Sequence, residues 1–499
     1  MGIPVQITPK ALSQQPAPDD DGQAFNYRVS TTITDNMVLQ RNQYLNIFGT
    51  ADKVGGIVYV ELMGETRYAV VDDNGDWCVQ MSAHPASVIP VELNVYTKAQ
   101  GAGNGYRFEN ILLGDVWIAA GQSNMQVTLD NTLIYNPYYI DEIDANDNIR
   151  LFNQWFWNCT NYWVEGFPKD SNQKYITKSP AVPQKDVPDG HVWQVNTVDN
   201  ALDFSAIGYY FAKQVADNTD VPVGIIQMCA GGAALCDFMP PDKYDSQKHN
   251  IGNSQFYHSD IYNSLMAPFS KTQVTGMLWY QGESDMCDYD KYADNLKDFV
   301  EMMRDIYGKN MEFYSVQLTS HNDVDNVWPE LADMRFAQFD AIKLIDNYNL
   351  VCTMDYGWTI WDQDFAHPQY KKYIGDRLAY VALAKIYDYR NYSLNEFGSP
   401  YMYTATVKDG YVYFYFNNVG AGLQAEDNDL NIRGFTNYNT GAMLTATLES
   451  ENCVKVRIGN KKNITIAYGN SAMANRATCN LCNSNGIGAL AFKYEVNLQ

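Results

Sequence analysis

The feature that most limits the possible folds is an alternation of short apolar runs with longer amphipathic stretches, starting near Asn110. The apolar runs are Val116–Ala120, Val223–Met228, Met277–Tyr280, Phe313–Leu318 and Leu350–Thr353. The amphipathic stretches are Ala206–Asp217, Tyr292–Tyr307, Leu331–Ile345 and Gln369–Tyr387. This alternation is typical of βαβ units, in which helices cover the faces of a mainly parallel sheet. The sequence therefore predicts an α/β core.

The regions on either side of the core have β-type patterns. In the N-terminal region, Val70-Val71 and Trp77-Cys78-Val79 flank Asn74-Gly75, which predicts a hairpin with a type I′ turn. In the C-terminal region, a strand pair is predicted around Asp409-Gly410, and further strands over Cys453–Ile458 and Asn463–Tyr468. A chain of 499 residues is also too long for a single hydrophobic core.

We therefore predict several units. They are a lead-in segment over 1–28, an N-terminal β-domain over 29–110, an α/β core over 111–392 and a C-terminal β-domain over 393–499. An insertion over 128–200 interrupts the core and is rich in aromatic residues, which would line a carbohydrate cleft or pack on themselves as a lid. These aromatic residues are Tyr135, Tyr138, Tyr139, Trp155, Phe156, Trp157, Tyr162 and Trp163.

Charge and composition exclude several classes of protein. The net charge of −23 argues against nucleic acid or an anionic membrane as a partner, since both require clustered Lys and Arg. The nine cysteines do not have the spacing of a disulfide framework, and Cys479-x-x-Cys482 lacks the second pair that a zinc site needs.

No signal peptide is visible at the N-terminus. We favour a secreted or periplasmic protein with its signal removed, and a cytoplasmic one stays open.

The run Val116–Ala120 stops abruptly at Gly121-Gln122-Ser123. In an open α/β sheet, ligands bind at the carboxyl ends of the strands. A serine in such a turn would be exposed there as a nucleophile, close to backbone N–H groups. Alternatively, the polar residues cap the next helix. The spacing alone does not decide between the two.

A nucleophilic serine needs a base, and the chain has six histidines. His367 follows the last predicted strand of the core and precedes an amphipathic helix, with Asp364 three residues before it. One turn would aim that carboxylate at the imidazole, although an Asp-His loop could also cap the helix. His84, His191, His249, His258 and His321 lack such a context.

Two further loops follow predicted strands. Cys229–Ala233 contains two glycines, which let backbone N–H groups approach a ligand. In the other loop, Gln281 has a side-chain amide that can donate to an oxyanion, and Glu283 is a second possible acid for His367. No cluster of residues has metal-ligand spacing, and no glycine-rich phosphate loop precedes a helix. We expect neither a metal nor a cofactor.

Four blocks of this sequence resemble those of the SGNH hydrolases, and more closely the sialate O-acetylesterase branch of carbohydrate esterases. The blocks are Gly121-Gln-Ser-Asn-Met125, Gly231-Gly232, Trp279-Tyr-Gln-Gly-Glu-Ser284 and Asp364-x-x-His367-Pro368. Asp35-Asn-Met-Val-Leu-Gln-Arg41 resembles the N-terminal β-domain of that branch. Its C-terminal β-domain is similar to Ala467-Tyr-Gly-Asn-Ser471 with Asn480-Leu and Gly486. The resemblance implies an SGNH parallel-sheet core flanked by two β-sandwich-like domains.

The resemblance also implies roles for individual residues. Ser123 would be the nucleophile, His367 the base and Asp364 the acid that orients it. The oxyanion hole would consist of the backbone N–H groups of Ser123 and Gly232 with the Gln281 side chain, since this branch has Gln where the broader class has Asn. In addition, we expect the residues that flank the serine, Gln122 and Asn124, to bind the substrate.

The implied activity is removal of O-acetyl groups from carbohydrates, with 9-O-acetylated sialic acid as the first candidate. Acetyl-xylan or another plant glycan is the alternative substrate. A different class of function is a non-catalytic carbohydrate-binding relative, because fold does not guarantee activity. The sequence does not indicate an oligomeric state.

Overall fold

The computed structural model describes residues 18–134, 137–154, 182–250, 252–321, 329–356, 367–368, 370–389, 391–426 and 431–497. Asp364 lies outside the described residues, as do most of the aromatic residues of the 128–200 insertion. In the described part, no helix is both long and apolar enough to cross a bilayer.

The N-terminal region and the core share one long strand. The strands up to this point are β1 (Tyr27–Val29), β2 (Val38–Gln40), β3 (Leu45–Ala51), β4 (Ile57–Leu62), β5 (Glu65–Val70), β6 (Asp76–Met81), β7 (Ser87–Tyr96) and β8 (Tyr106–Gly121). The first half of β8 pairs with β7 and β2, and its second half enters the central sheet. The predicted boundary between residues 110 and 111 therefore falls inside a continuous strand.

The predicted α/β core is confirmed by the central sheet. Its remaining strands are β9 (Asn146–Phe152), β10 (Trp193–Asn196), β11 (Val223–Cys229), β12 (Gly276–Tyr280), β13 (Glu312–Val316) and β14 (Tyr348–Val351). The order across the sheet is β10-β9-β11-β8-β12-β13-β14. All neighbours in this order are parallel except β10, which is antiparallel to β9. Each of the five apolar runs contributes to one of these strands.

Helices cover both faces of the central sheet. The α-helices are α1 (Ser123–Gln126), α2 (Leu129–Leu133), α3 (Val198–Leu202), α4 (Ala206–Asn218), α5 (Tyr289–Tyr307), α6 (Leu331–Asp340), α7 (Lys371–Lys385) and α8 (Leu394–Phe397). On one face, Trp117 of β8 packs edge-on against Phe211 of α4, with ring centroids 4.7 Å apart. On the other face, Trp279 of β12 lies 4.7 Å from Phe299 of α5. The sheet is therefore buried on both sides, as its apolar runs require.

The shorter helical turns are Ala102–Asn104, Pro137–Glu142, Leu235–Phe238, Tyr262–Met266, Ala267–Phe269, Glu283–Asp288, Ala341–Lys343 and Met354–Tyr356.

The strands of the C-terminal region form three small sheets. They are β15 (Tyr401–Lys408), β16 (Tyr411–Asn417), β17 (Gln424–Ala425), β18 (Phe435–Asn437), β19 (Ala446–Ser450), β20 (Cys453–Arg457), β21 (Asn463–Tyr468), β22 (Leu481–Cys482) and β23 (Phe492–Asn497). The order is β15-β16-β20-β19 in one sheet and β18-β21-β23 in another, and β17 pairs with β22. Phe414, Phe435 and Phe492 pack between the two larger sheets.

Of the two predicted hairpins, one is confirmed and one is wrong. Asp409-Gly410 joins β15 to β16, with both turn residues at positive φ (52° and 80°), as a type I′ turn requires. The chain also turns at Asn74-Gly75, but the strands on either side pair in different sheets, β5 with β4 and β6 with β3. Only the glycine of that pair has positive φ.

The 128–200 insertion departs from the sequence interpretation as well. It was predicted to stand apart from the alternating pattern, yet β9 and β10 lie within it and extend the central sheet beyond β11. The structure therefore places part of this segment in the core.

Candidate active site

Three strands end together at one edge of the central sheet. Gly121, the last residue of β8, pairs with Cys229 of β11 on one side and Tyr280 of β12 on the other. Gly121 has φ 138°, and a Cβ built there would lie 2.1 Å from the carbonyl oxygen of Tyr280. Only glycine fits this position. As a result, the loops after the three strands converge.

The structure brings Ser123 and His367 into contact across 244 residues of sequence. Ser123 is the first residue of α1, directly after the turn at Gly121, and His367 lies just before α7. The distance between Ser123 Oγ and His367 Nε2 is 2.8 Å. A neutral imidazole can accept the hydroxyl proton through this bond, which is the geometry of a nucleophile with its general base.

The glycine loop lies beside the serine. A Cβ built on Gly231 would be 3.5 Å from Ser123 Cβ, and the Gly231 N–H donates to Gln126 Oε1 at 2.8 Å. Gly232 has φ +80°, a conformation that favours glycine. Within the described residues, the N–H groups of Ser123 and Gly232 donate to no protein acceptor. Both are therefore free to serve an oxyanion.

The side chain of Gln281, which is predicted to be an oxyanion donor, makes hydrogen bonds within the protein. Its side chain is fully buried, and its Nε2 donates to the Ala233 carbonyl at 3.2 Å and to Asp285 Oδ2. Its Oε1 accepts from Tyr292 at 3.0 Å. An amide has two N–H hydrogens, so a third acceptor would have to displace one of these bonds. In this structure Gln281 holds its own loop to the neighbouring glycine loop.

The two residues expected to bind substrate are also engaged internally. Gln122 is buried, and its Oε1 accepts from the N–H groups of Gly282 and Ser284, each at 3.3 Å. Asn124 is buried and donates from Nδ2 to Glu283 Oε1 at 2.6 Å. Both side chains therefore connect the start of α1 to the loop after β12, and substrate binding by them stays a prediction.

Glu283 and Lys371 complete the polar surroundings of α1. Lys371 is fully buried and donates from Nζ to Asn124 Oδ1 at 2.5 Å. Burial raises the pKa of Glu283, while the bond from Asn124 and the charges of His367 and Lys371 lower it, and the net direction is upward. Lys371 was not identified from the sequence. Its only signal there is its place four residues after His367, at the start of a helix.

Other candidate sites have structural explanations. His249 Nε2 is 3.0 Å from Asp298, and His258 stacks on Tyr244 with centroids 4.2 Å apart. Cys479 and Cys482 are free thiols, and burial raises the pKa of each to about 11, so neither is poised to react. Over the described ranges, no group of His, Cys, Asp and Glu could hold a metal ion.

The chain is similar to known proteins in sequence. Residues 113–380, more than half of the chain, match the family described as carbohydrate esterase, sialic acid-specific acetylesterase. The sialate O-acetylesterase of Homo sapiens is 22% identical over 421 residues, covering 74% of this chain and 73% of the relative. That of Rattus norvegicus is 23% identical over 433 residues, with coverage of 74% and 75%.

A solved structure extends the similarity of fold. The crystal structure of a carbohydrate acetylesterase from Xanthomonas citri has a TM-score of 0.76 and 24% sequence identity, and covers 94% of this chain and 99% of that chain. The family match spans both Ser123 and His367. This chain belongs to the sialic acid-specific acetylesterase family of carbohydrate esterases.

Proposed function

We propose that this protein removes O-acetyl groups from carbohydrates through an acetyl-enzyme formed on Ser123. The observation that carries the proposal is the 2.8 Å contact between Ser123 Oγ and His367 Nε2 at the carboxyl edge of the central sheet. Membership of an acetylesterase family supports it. All the positions needed for acyl transfer hold competent residue types, which argues against the non-catalytic alternative.

In the first half of the reaction, Ser123 Oγ attacks the acetyl carbonyl carbon while its proton moves to His367 Nε2. The carbonyl oxygen becomes an oxyanion, which accepts from the Ser123 and Gly232 N–H groups. The C–O bond to the sugar then breaks, and the imidazolium gives its proton to the leaving alkoxide oxygen. The sugar leaves as an alcohol and the acetyl group stays on the serine.

In the second half, water takes the place of the sugar hydroxyl. His367 accepts a proton from the water as it attacks the acetyl-enzyme, and returns it to Ser123 Oγ as acetate leaves. Asp364 is the proposed partner of the other imidazole nitrogen, from its Asp-x-x-His spacing and the family resemblance. Glu283 is the alternative acid, because its Oε1 accepts from Asn124, the residue after Ser123, at 2.6 Å.

For the substrate we propose 9-O-acetylated sialic acid first and acetyl-xylan second. The names of the mammalian relatives support the first. The net charge of −23 weighs mildly against an anionic sugar, since long-range repulsion slows its approach.

Release of acetate from O-acetyl sialic acid, acetyl-xylan and a fatty ester, measured side by side, tests this proposal. The expected order of kcat/KM is sialic acid, xylan, then the long acyl chain. A clear preference for octanoyl or longer esters would refute a carbohydrate O-acetylesterase. A reversal of the first two would change the sugar and leave the reaction unchanged.

A further inference from the structure

Lys371 carries a buried charge at a position where a cation is unfavourable. It is the first residue of α7, where the unpaired N–H groups of the helix are positive, and its side chain is fully buried. Its neighbour Lys372 is different, because that side chain is one-fifth exposed and pairs with two carboxylates, Asp376 and Glu142. The ordinary reasons for a surface lysine therefore do not explain Lys371.

The contacts of Lys371 lead directly to the nucleophile. Its Nζ donates to Asn124 Oδ1 at 2.5 Å and lies 5.6 Å from the centre of the Tyr280 ring. The other end of the same amide donates to Glu283 Oε1 at 2.6 Å. A flipped amide would point N–H groups at the ammonium and oxygen at the carboxylate, so the two charges fix the orientation of Asn124. Asn124 follows Ser123 in α1.

We propose that Lys371 is a positioning residue for the esterase reaction: through Asn124 it holds the helix of Ser123 in place, and its charge partly offsets the burial that disfavours the ionised form of Glu283. The inference rests on the proposed roles of Ser123 and His367. It adds a buried Lys371–Asn124–Glu283 chain that connects α7 to the loop after β12.

The charge of Glu283 matters because His367 becomes an imidazolium during acyl transfer, and a nearby carboxylate stabilises that cation. Among the described residues, four titratable groups face Glu283 from the surrounding elements: Lys371 of α7, His367 before it, Tyr280 of β12 and Tyr292 of α5. Burial raises the pKa of both tyrosines, so they stay neutral, whereas the hydrogen bond from Asn124 and the charges of His367 and Lys371 favour the carboxylate. Removing Lys371 would raise the pKa of Glu283 further, and the loss of activity on acidification would begin at a higher pH.

The test is the pH dependence of kcat and KM on a soluble acetyl ester. Lys371→Met should move the acid limb of kcat/KM upward by about one pH unit, the size expected on losing an opposite charge nearby. At a pH on this acid limb, kcat of Lys371→Met should be roughly tenfold below that of the wild type, with KM nearly unchanged. Lys371→Arg, which keeps the charge, should restore the limb. Lys372→Met is the matched control and should leave the profile unchanged.

A double variant separates an electrostatic role from a purely structural one. In a Glu283→Gln background, Lys371→Met should cause no further shift of the limb, because the group that responds to the charge is gone. The proposal would be overturned if Lys371→Met shifted the acid limb of kcat/KM as much in the Glu283→Gln background as in the wild type. It would also be overturned if Lys371→Met alone left the acid limb unshifted. Absence of acetylesterase activity in the wild type at every pH would instead refute the proposed function.

Folding of each variant is checked by circular dichroism. If Lys371→Met does not fold, Lys371→Gln takes its place, since it can still donate to Asn124 without a charge. Failure of both neutral variants to fold, while Lys371→Arg folds with a normal profile, would assign the charge to stability alone and would also overturn the proposal.

Discussion

Arg335 should be one of the side chains on which the stability of this protein most depends. Its Nε donates to the Leu318 carbonyl and one terminal nitrogen to the Thr319 carbonyl, both at 2.7 Å, in the loop after β13. It also donates to the Ser471 carbonyl at 2.7 Å and the Ala472 carbonyl at 3.1 Å, in the C-terminal region. The side chain is fully buried. One guanidinium therefore joins the core to the C-terminal β-region.

The expected loss on replacing Arg335 with Met follows from two opposing terms. Four hydrogen bonds from a charged donor, at roughly 1.5–3 kcal/mol each, would stabilise the fold by roughly 6–12 kcal/mol if they were additive. Burial lowers the pKa of Arg335 to about 10, a penalty of roughly 3 kcal/mol on the charged form. Bonds made by one side chain are not additive, so we expect a net loss of about 3–6 kcal/mol.

The assay is thermal unfolding of Arg335→Met beside Arg304→Met. Arg304 also bonds two backbone carbonyls, Met311 at 3.1 Å and Asp346 at 2.7 Å, but it is partly exposed and stays within the core. For a chain of 499 residues, the first variant should lower Tm by about 3–6 °C and the control by much less. Equal shifts would refute the reasoning that the buried clamp between the two regions is what stabilises the protein.

Three further predictions concern the site and its surroundings. Asp364→Asn should lower kcat more than Glu283→Gln, because the Asp-x-x-His spacing predicts that Asp364 orients His367; steady-state kinetics that rank the two variants in the opposite order would assign that role to Glu283. Gly232→Ala should lower kcat by about ten- to a hundredfold with little change in KM, since a Cβ at φ +80° moves an oxyanion donor; an unchanged kcat would remove Gly232 from the hole. Arg377 donates two hydrogen bonds to the carboxylate of Asp355, at 2.7 and 2.5 Å. Burial opposes the ionised form of Asp355, but the charge of Arg377 outweighs it and lowers the pKa of Asp355. The ion pair therefore stabilises the fold above the pKa that Asp355 has in the unfolded chain, and this stabilisation is lost as the pH falls through its pKa in the folded protein. Asp355→Asn should flatten the acid side of a plot of Tm against pH. An unchanged slope would contradict this prediction.

The sequence predicts the core well because its strands are buried on both faces. A run such as Val116–Ala120 has no polar residue to place outside, so only an interior strand accommodates it. The glycine after it marks a turn, and the serine and histidine follow strands of the same sheet. Their meeting could therefore be anticipated from topology alone.

Other features depend on partners that are distant in sequence. The turn at Asn74-Gly75 is a local signal, but which strands pair is decided by the sheets around it, and β5 and β6 join different ones. The amide of Gln281, a predicted oxyanion donor, donates to the Ala233 carbonyl and to Asp285. Neither acceptor could be assigned from spacing.

Lys371 shows most clearly how a residue's role can depend on partners that are distant in sequence. At the start of an amphipathic helix a lysine is normally a solvent-exposed residue, and no sequence pattern indicates burial. Its burial becomes visible only when α7 packs beside the loops of β8 and β12. The same packing places Asn124 between two charged groups, a structural link that the sequence does not indicate.

The central claim, that Ser123 is the nucleophile, is tested most directly by its removal. Ser123→Ala should fold like the wild type by circular dichroism and lose roughly 10⁴-fold or more in kcat on an acetyl ester, as triad nucleophiles do. Rapid quenching of the wild type should reveal an acetyl group on the peptide that contains Ser123, absent from the variant. A folded Ser123→Ala enzyme that kept about a tenth of the wild-type rate would contradict the account.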